Sequence, residues 1–131
     1  MVMKKVLKQI FHVRGFWASF KIAATGVGYL FLFHRSLRIM FFTGIAVFIA
    51  GLFFKLKSIE LIILCITITL VFMAEIFNTA IEIMFDMFTD KYHHSIKLVK
   101  DISAAVVLIA CLNAVAIGYV LFIRKLLHKG L

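Results

Sequence analysis

Four residues in one stretch of this chain have the types and spacing for joint chemistry: Glu75, Asn78, Glu82 and Asp86. At about 100° per residue, with Glu75 as the origin, Asn78 falls near about 300°, Glu82 near about 340° and Asp86 near about 20°. All four therefore share one stripe of one helix. The stretch lies inside, or at the edge of, a long apolar segment, where ionisable side chains are costly and mark a functional site by default. Three acids and an amide on one face suit a cation and whatever that cation carries. Mg²⁺ takes oxygen ligands and usually keeps one or two carboxylates together with bound phosphates. Glu82 and Asp86 lie at a suitable depth for that work. Asn78 can bond a phosphate or hold a carboxylate in place. Glu75, the deepest, can accept a proton from a hydroxyl held at headgroup level. Two other roles fit the same stripe: a buried polar seam that fixes helix register in an oligomer, and a proton or cation path. A path should cross the whole membrane, whereas the acids cluster at one end.

A second pair, Lys100-Asp101, stands where a later apolar run begins. Lys100 fits a phosphate cation. Asp101, read near a helix N-terminus, can cap backbone N–H groups or hold a metal or ribose. A plain interfacial lysine beside an N-terminal helix aspartate would look the same. His93-His94 is adjacent rather than four apart, a poor metal pair. Cys65 and Cys111 fall in apolar runs and read as small buried hydrophobes, with no disulfide framework implied. No G-x-x-x-x-G-K-[ST] sequence and no protein-kinase signature occurs. A nucleotide site would have to be built from helix faces and loops.

The elements that must position these residues follow from composition. The chain has 131 residues, 64% hydrophobic, and no proline. Soluble domains carry roughly 45–50% apolar residues, so this is an all-α integral membrane domain, 1–131, of long uninterrupted helices. Residues 3–20 read as one amphipathic helix. Ile10, Val13, Trp17 and Phe20 recur on one face, and basic residues with the single Trp suit the membrane interface. Ile22–Phe33 is apolar but only 12 residues long, too short to span alone, so 3–33 forms a surface-helix region. Three transmembrane helices follow, at 39–54, 59–88 and 102–123. Lys55-Leu56-Lys57-Ser58 makes a short turn and Thr89–Lys100 a polar loop. Gly44 and Gly51, with Ala46 and Ala50, offer small positions for close helix packing.

Of the 15 Lys and Arg, ten lie in the N-terminal region and the 89–100 loop, and five lie near residues 55–57 and in the C-terminal tail. The positive-inside rule then puts the N-terminus in the cytoplasm of a multi-pass protein of the inner or plasma membrane. The acidic stripe opens to the same side, where ATP and Mg²⁺ are. The net charge of +9 is assigned to topology and anionic headgroups, not to nucleic acid. Three spans cannot wrap a nucleotide alone, so a homo-oligomer with sites at subunit interfaces is expected.

The residues Glu75-x-x-Asn78-Thr79-Ala80-Ile81-Glu82-x-x-x-Asp86, followed by Lys100-Asp101-Ile102-Ser103-Ala104-Ala105-Val106, resemble the prokaryotic diacylglycerol kinase family, which includes the undecaprenol kinases. Tyr92-His93 between the two motifs matches as well. The resemblance implies a homotrimeric bundle of three-span subunits, each with an N-terminal amphipathic surface helix and sites shared between neighbours. It implies ATP- and Mg²⁺-dependent phosphorylation of a membrane lipid alcohol, diacylglycerol or undecaprenol. Glu75 would then be the catalytic base and Glu82 a metal ligand, with Asn78, Asp86, Lys100 and Asp101 holding the nucleotide and its phosphates. The family usually carries a second metal-binding Glu four residues before an Arg at the end of the surface helix. Arg38 matches that Arg, and His34 stands in the place of the Glu. His34 is thus a candidate metal ligand, and the alternative function is a catalytically impaired member that binds nucleotide or lipid. Ser36 and Met40 replace the Asn and His common in the undecaprenol kinase branch.

Overall fold

The computed structural model describes residues 1–10, 15–88 and 94–129, and every regular element among them is helical. Tyr92 and His93 lie outside the described residues. The chain forms two units, Met1–His34 and Arg35–Leu131.

The first unit holds α1 (Val2–Ile10) and α2 (Phe16–Phe33). The expectation of one amphipathic helix over 3–20 is corrected here. Gly15 is non-helical, with φ −54° and ψ 144°, and α2 starts after it. The amphipathic character belongs to α1, whereas α2 is apolar around its circumference with no buried side chain. The turn Phe16–Lys21 extends the short 22–33 run into an 18-residue helix. By length and composition alone four helices could therefore cross a membrane: α2, α3, α4 and the helix that begins at His94. Phe16, Trp17 and Phe20 form an exposed aromatic cluster, with ring centroids 6.1–6.5 Å apart.

The second unit holds α3 (Arg35–Phe53), α4 (Ser58–Phe88), α5 (His94–Gly118), a π-helical turn (Tyr119–Ile123) and α6 (Arg124–Lys129). Helix α4 is central and packs on both α3 and α5. Helix α3 ends in a Schellman motif: Leu56 N–H donates to Gly51 C=O at 3.2 Å and Lys55 N–H to Leu52 C=O at 3.1 Å. Lys55 takes the left-handed conformation, φ 55°, in place of the usual glycine. Glu60 Oε2 accepts the Lys57 backbone N–H at 2.9 Å, half of a capping box at the start of α4.

As the small-residue pattern predicts, glycines let α3 approach α4. A Cβ at Gly44 would lie 2.7 Å from Ile68 Cγ2, and one at Gly51 would lie 3.0 Å from Leu64 Cδ2. Leu56, Leu64 and Leu121 form a small core at that end, with Val47, Leu61, Ile68, Ile117 and Phe122 around it. The π turn carries Leu121 into it. The Phe54 and Phe122 rings meet edge to face, and Lys125 Nζ donates to Lys55 C=O at 3.0 Å.

The polar loop expected over 89–100 is shorter than predicted, because α5 already begins at His94. Likewise α3 begins at Arg35 and not at Ile39. Hydropathy marks where an apolar slab begins, whereas a helix continues past that boundary until its backbone is interrupted. Nothing in Ser95–Lys100 interrupts it.

The distribution of polarity is inverted relative to a soluble protein. Thr67, Glu75, Thr79 and Ser103 are buried, while Ile62, Ile66, Leu70, Met73 and Phe77 form an exposed stripe on α4. An apolar exterior around a polar seam is the arrangement of a protein whose solvent is lipid.

Candidate functional site at the C-terminal half of α4

The helical period places Glu75, Asn78, Glu82 and Asp86 on one side of α4, and tertiary packing gives each a different environment. Glu75 is buried, at 8% exposure. Its Oε1 accepts a hydrogen bond from Ser36 Oγ, on the first turn of α3, at 2.8 Å. Among the described residues it makes no ion pair. Asn78 Oδ1 accepts from Ser103 Oγ of α5 at 2.8 Å. With its oxygen thus occupied, the Asn78 amide is left with N–H donors, which suit an anionic oxygen. Thr79, 2% exposed, is buried one turn beyond Glu75.

The stripe becomes wet toward its end. Glu82 is exposed, and no described residue pairs with it. Asp86 Oδ1 lies 3.4 Å from Lys100 Nζ, with side-chain exposures of 74% and 38%. A pair so exposed contributes between zero and about 1 kcal/mol to stability, so Lys100 remains available to an anion. The distance from Asn78 to Asp86 along α4 is about 12 Å, enough for a chain of phosphates.

One sequence expectation changes. Asp101 is not a helix-terminal cap: it is the eighth residue of α5, and it pairs with Lys97 one turn back, at 3.9 Å. It is adjacent to Lys100 but is not joined to the α4 stripe. His34 closes α2 in the N-terminal unit, its backbone N–H donating to Leu30 C=O at 2.9 Å and its ring 6.5 Å from that of Tyr29. Among the described residues no three His, Cys, Asp or Glu side chains come together as a metal cage.

Ser36 and Ser103 are the site residues to which sequence reasoning gave no role. Ser103 follows Lys100 by three positions and so shares its helical face, a signal that could have found it. Ser36 carried no such signal, because its contact depends on how α3 packs on α4.

A buried carboxylate with no cation partner among the described residues, an oriented amide and an exposed acid–lysine pair form a graded polar seam at one end of an apolar bundle. The model of the prokaryotic diacylglycerol kinase family matches residues 21–122. A diacylglycerol kinase of Synechocystis sp. is 39% identical over 110 residues, covering 83% of this chain and 63% of that relative. The chain thus spans less than two thirds of that protein's length. An undecaprenol kinase of Bacillus subtilis is 33% identical over 111 residues, covering 85% of this chain and 90% of the relative. On the match over most of its length, the chain belongs to the prokaryotic diacylglycerol kinase family.

Proposed function

We propose that this membrane protein is a lipid kinase that transfers the γ-phosphoryl group of ATP to the hydroxyl of a membrane lipid alcohol, diacylglycerol or undecaprenol. The observation that carries the reading is the state of Glu75. It is a buried carboxylate held by a neutral hydroxyl, paired with no cation among the described residues, two turns from an exposed acid. A carboxylate so placed can take a proton from an alcohol presented at the apolar boundary.

In this mechanism the lipid hydroxyl oxygen attacks the γ-phosphorus as its proton passes to Glu75. The new bond joins lipid oxygen to phosphorus. The bond between the γ-phosphorus and its bridging oxygen breaks, and ADP leaves with that electron pair. Phosphoryl transfer asks mainly for positioning and charge stabilisation, so side chains on two or three helices can supply it. The Asn78 N–H groups and Lys100 would hold phosphate oxygens, with Asp86 keeping Lys100 in place. Mg²⁺, when bound, would neutralise phosphate charge. Glu82, exposed and without a described partner, suits a metal that takes one or two carboxylates and leaves its other positions to phosphate and water. Three further elements belong to this reading: a cytoplasmic N-terminus and a site facing the cytoplasm, from the charge pattern, and a homotrimer with shared sites, from the resemblance to the family.

The test is ATP-dependent phosphorylation of diacylglycerol and of undecaprenol, side by side, by purified protein in mixed micelles. Glu75→Gln keeps the shape and the bond from Ser36 but removes the base. Turnover is expected to fall by about 10²–10⁴-fold, the usual contribution of a positioned acid or base. Undiminished turnover in Glu75→Gln would remove the base assignment.

A further inference from the structure

Six serine and threonine hydroxyls whose hydrogen bonds are described fall into two groups. Thr25, Thr43, Thr67 and Thr69 each donate to the carbonyl four residues back in their own helix, at 2.7–2.8 Å. That is the ordinary resting place of a hydroxyl on an apolar helix. Ser36 and Ser103 instead reach across to a neighbouring helix, and both end on the α4 stripe. Ser36 stands in the first turn of α3, where a serine would readily cap its own helix. Its proton goes to Glu75 Oε1.

We propose that Ser36 is a positioning residue for the phosphoryl transfer: its hydroxyl fixes the Glu75 carboxylate so that Oε2, and not Oε1, faces the incoming lipid hydroxyl. This rests on the lipid-kinase reading above. A glutamate carries three rotatable side-chain bonds, and a carboxylate without an anchor samples many arrangements of its two oxygens. Burial at 8% exposure narrows that choice, and the 2.8 Å bond selects within it. A base must lie within hydrogen-bond reach of the proton it removes, so a carboxylate rotated away is inactive even though present. Ser36 has no reacting atom of its own. It accepts no proton from the lipid and makes no bond to phosphorus. Its effect is on the fraction of time for which Glu75 is ready.

The experiment compares Ser36→Ala and Ser36→Thr with the wild-type full-length chain in mixed micelles. Steady-state turnover is measured together with the ¹³C NMR signal of the Glu75 side-chain carboxyl. Ser36→Ala is expected to lower kcat about 10-fold, while KM for ATP stays within about twofold, because positioning acts on the chemical step. Ser36→Thr keeps the hydroxyl and is expected to recover kcat to within about threefold of wild type, since the same hydrogen bond is available. The Glu75 carboxyl signal is expected to move in the alanine variant and to stay in the threonine variant. In the Glu75→Gln background, Ser36→Ala is expected to cost no further activity, because residues acting as one unit are not additive. Equal losses in the Ala and Thr variants would overturn the proposal in favour of a packing role. So would an active wild type with an unaltered Ser36→Ala. If the wild type phosphorylates neither lipid while the NMR signal behaves as stated, the lipid-kinase reading fails and the Ser36–Glu75 contact stands without a catalytic role.

Discussion

Gly44→Ala tests whether the close approach of α3 to α4 is what readies the site. The added Cβ would sit 2.7 Å from Ile68 Cγ2. Carbon atoms rest about 3.5–4.0 Å apart, so the shortfall is about 1 Å. Ile68 cannot swing its methyl away, because Cγ2 is attached to the branched Cβ of a residue held to one χ1 rotamer in a helix. The helices must part instead. Ser36 lies eight residues earlier on α3, about 12 Å along the axis. A rigid shift of about 1 Å would carry the 2.8 Å Ser36–Glu75 bond beyond hydrogen-bonding range. The stability cost should be modest. Overpacking costs about 1–3 kcal/mol, and replacing a helical glycine by alanine returns up to about 1 kcal/mol. Turnover should suffer more, since a misplacement of about 1 Å can cost about 100-fold. The expected signature is thus a net loss of about 1 kcal/mol in detergent unfolding with a 10- to about 100-fold loss of lipid phosphorylation. Adding Ile68→Ala removes the opposing methyl and should restore turnover to within a few-fold, with a coupling near about 1 kcal/mol. Gly51→Ala is the control. Its Cβ would meet Leu64 Cδ2 at 3.0 Å, Leu56 Cδ1 at 3.2 Å and Leu61 Cδ2 at 3.4 Å, all far ends of longer side chains, and it is a further two turns from Ser36. It should cost less activity. Full turnover in Gly44→Ala, no relief from Ile68→Ala, or a larger activity loss at Gly51 would show that the close approach of α3 to α4 does not ready the site.

Two further predictions follow from the turn and from the wet end of the stripe. Lys55 holds φ 55°, a conformation that costs a non-glycine residue about 1–2 kcal/mol. Lys55→Gly should therefore raise unfolding stability by about 0.5–1 kcal/mol after the entropy of the freer unfolded chain is deducted. Lys55→Val should lower stability, and neither should change turnover, because the turn sits at the opposite end of α4 from Glu75. At the other end, Lys100→Met breaks an ion pair whose aspartate is 74% exposed. Thermal unfolding should hardly move, while KM for ATP should rise about 10-fold or more if Lys100 carries phosphate charge. A loss of stability with unchanged KM would make the pair structural.

The acidic stripe was legible because two signals coincide in it: a 3.6-residue period and a charge count that its apolar surroundings do not tolerate. Gly44 and Gly51 were legible for a related reason, since small residues in an apolar helix mark where backbones meet. Asp101 was misplaced because hydropathy locates the membrane boundary and not the helix terminus. The helix of Asp101 starts seven residues earlier, at His94, through polar residues that have no reason to break it. Gly15 shows the converse. It is extended just ahead of α2, inside a stretch whose hydrophobic spacing reads as one continuous helix. The Ser36–Glu75 bond joins residues 39 apart in the chain, and no periodicity within either helix encodes it.

The structure also divides a stripe that the helical wheel treats as uniform. Glu75 and Asn78 are three residues apart, so they diverge by about 60° around α4. That divergence is enough for Glu75 to lean toward α3 and Asn78 toward α5, and each meets a serine there. A central helix flanked on both sides can hold two neighbouring polar groups independently, which a two-helix seam cannot. Exposure then rises along α4, from 8% at Glu75 to 74% for the Asp86 side chain. Under the proposed function this gradient matches the two substrates. The lipid hydroxyl arrives from the apolar side and needs a dry base. The nucleotide arrives from water and needs charges that cost little to keep ionised. A site built wholly at either depth would serve one substrate and exclude the other. The 3.6-residue period of a single helix supplies both depths in little more than three turns.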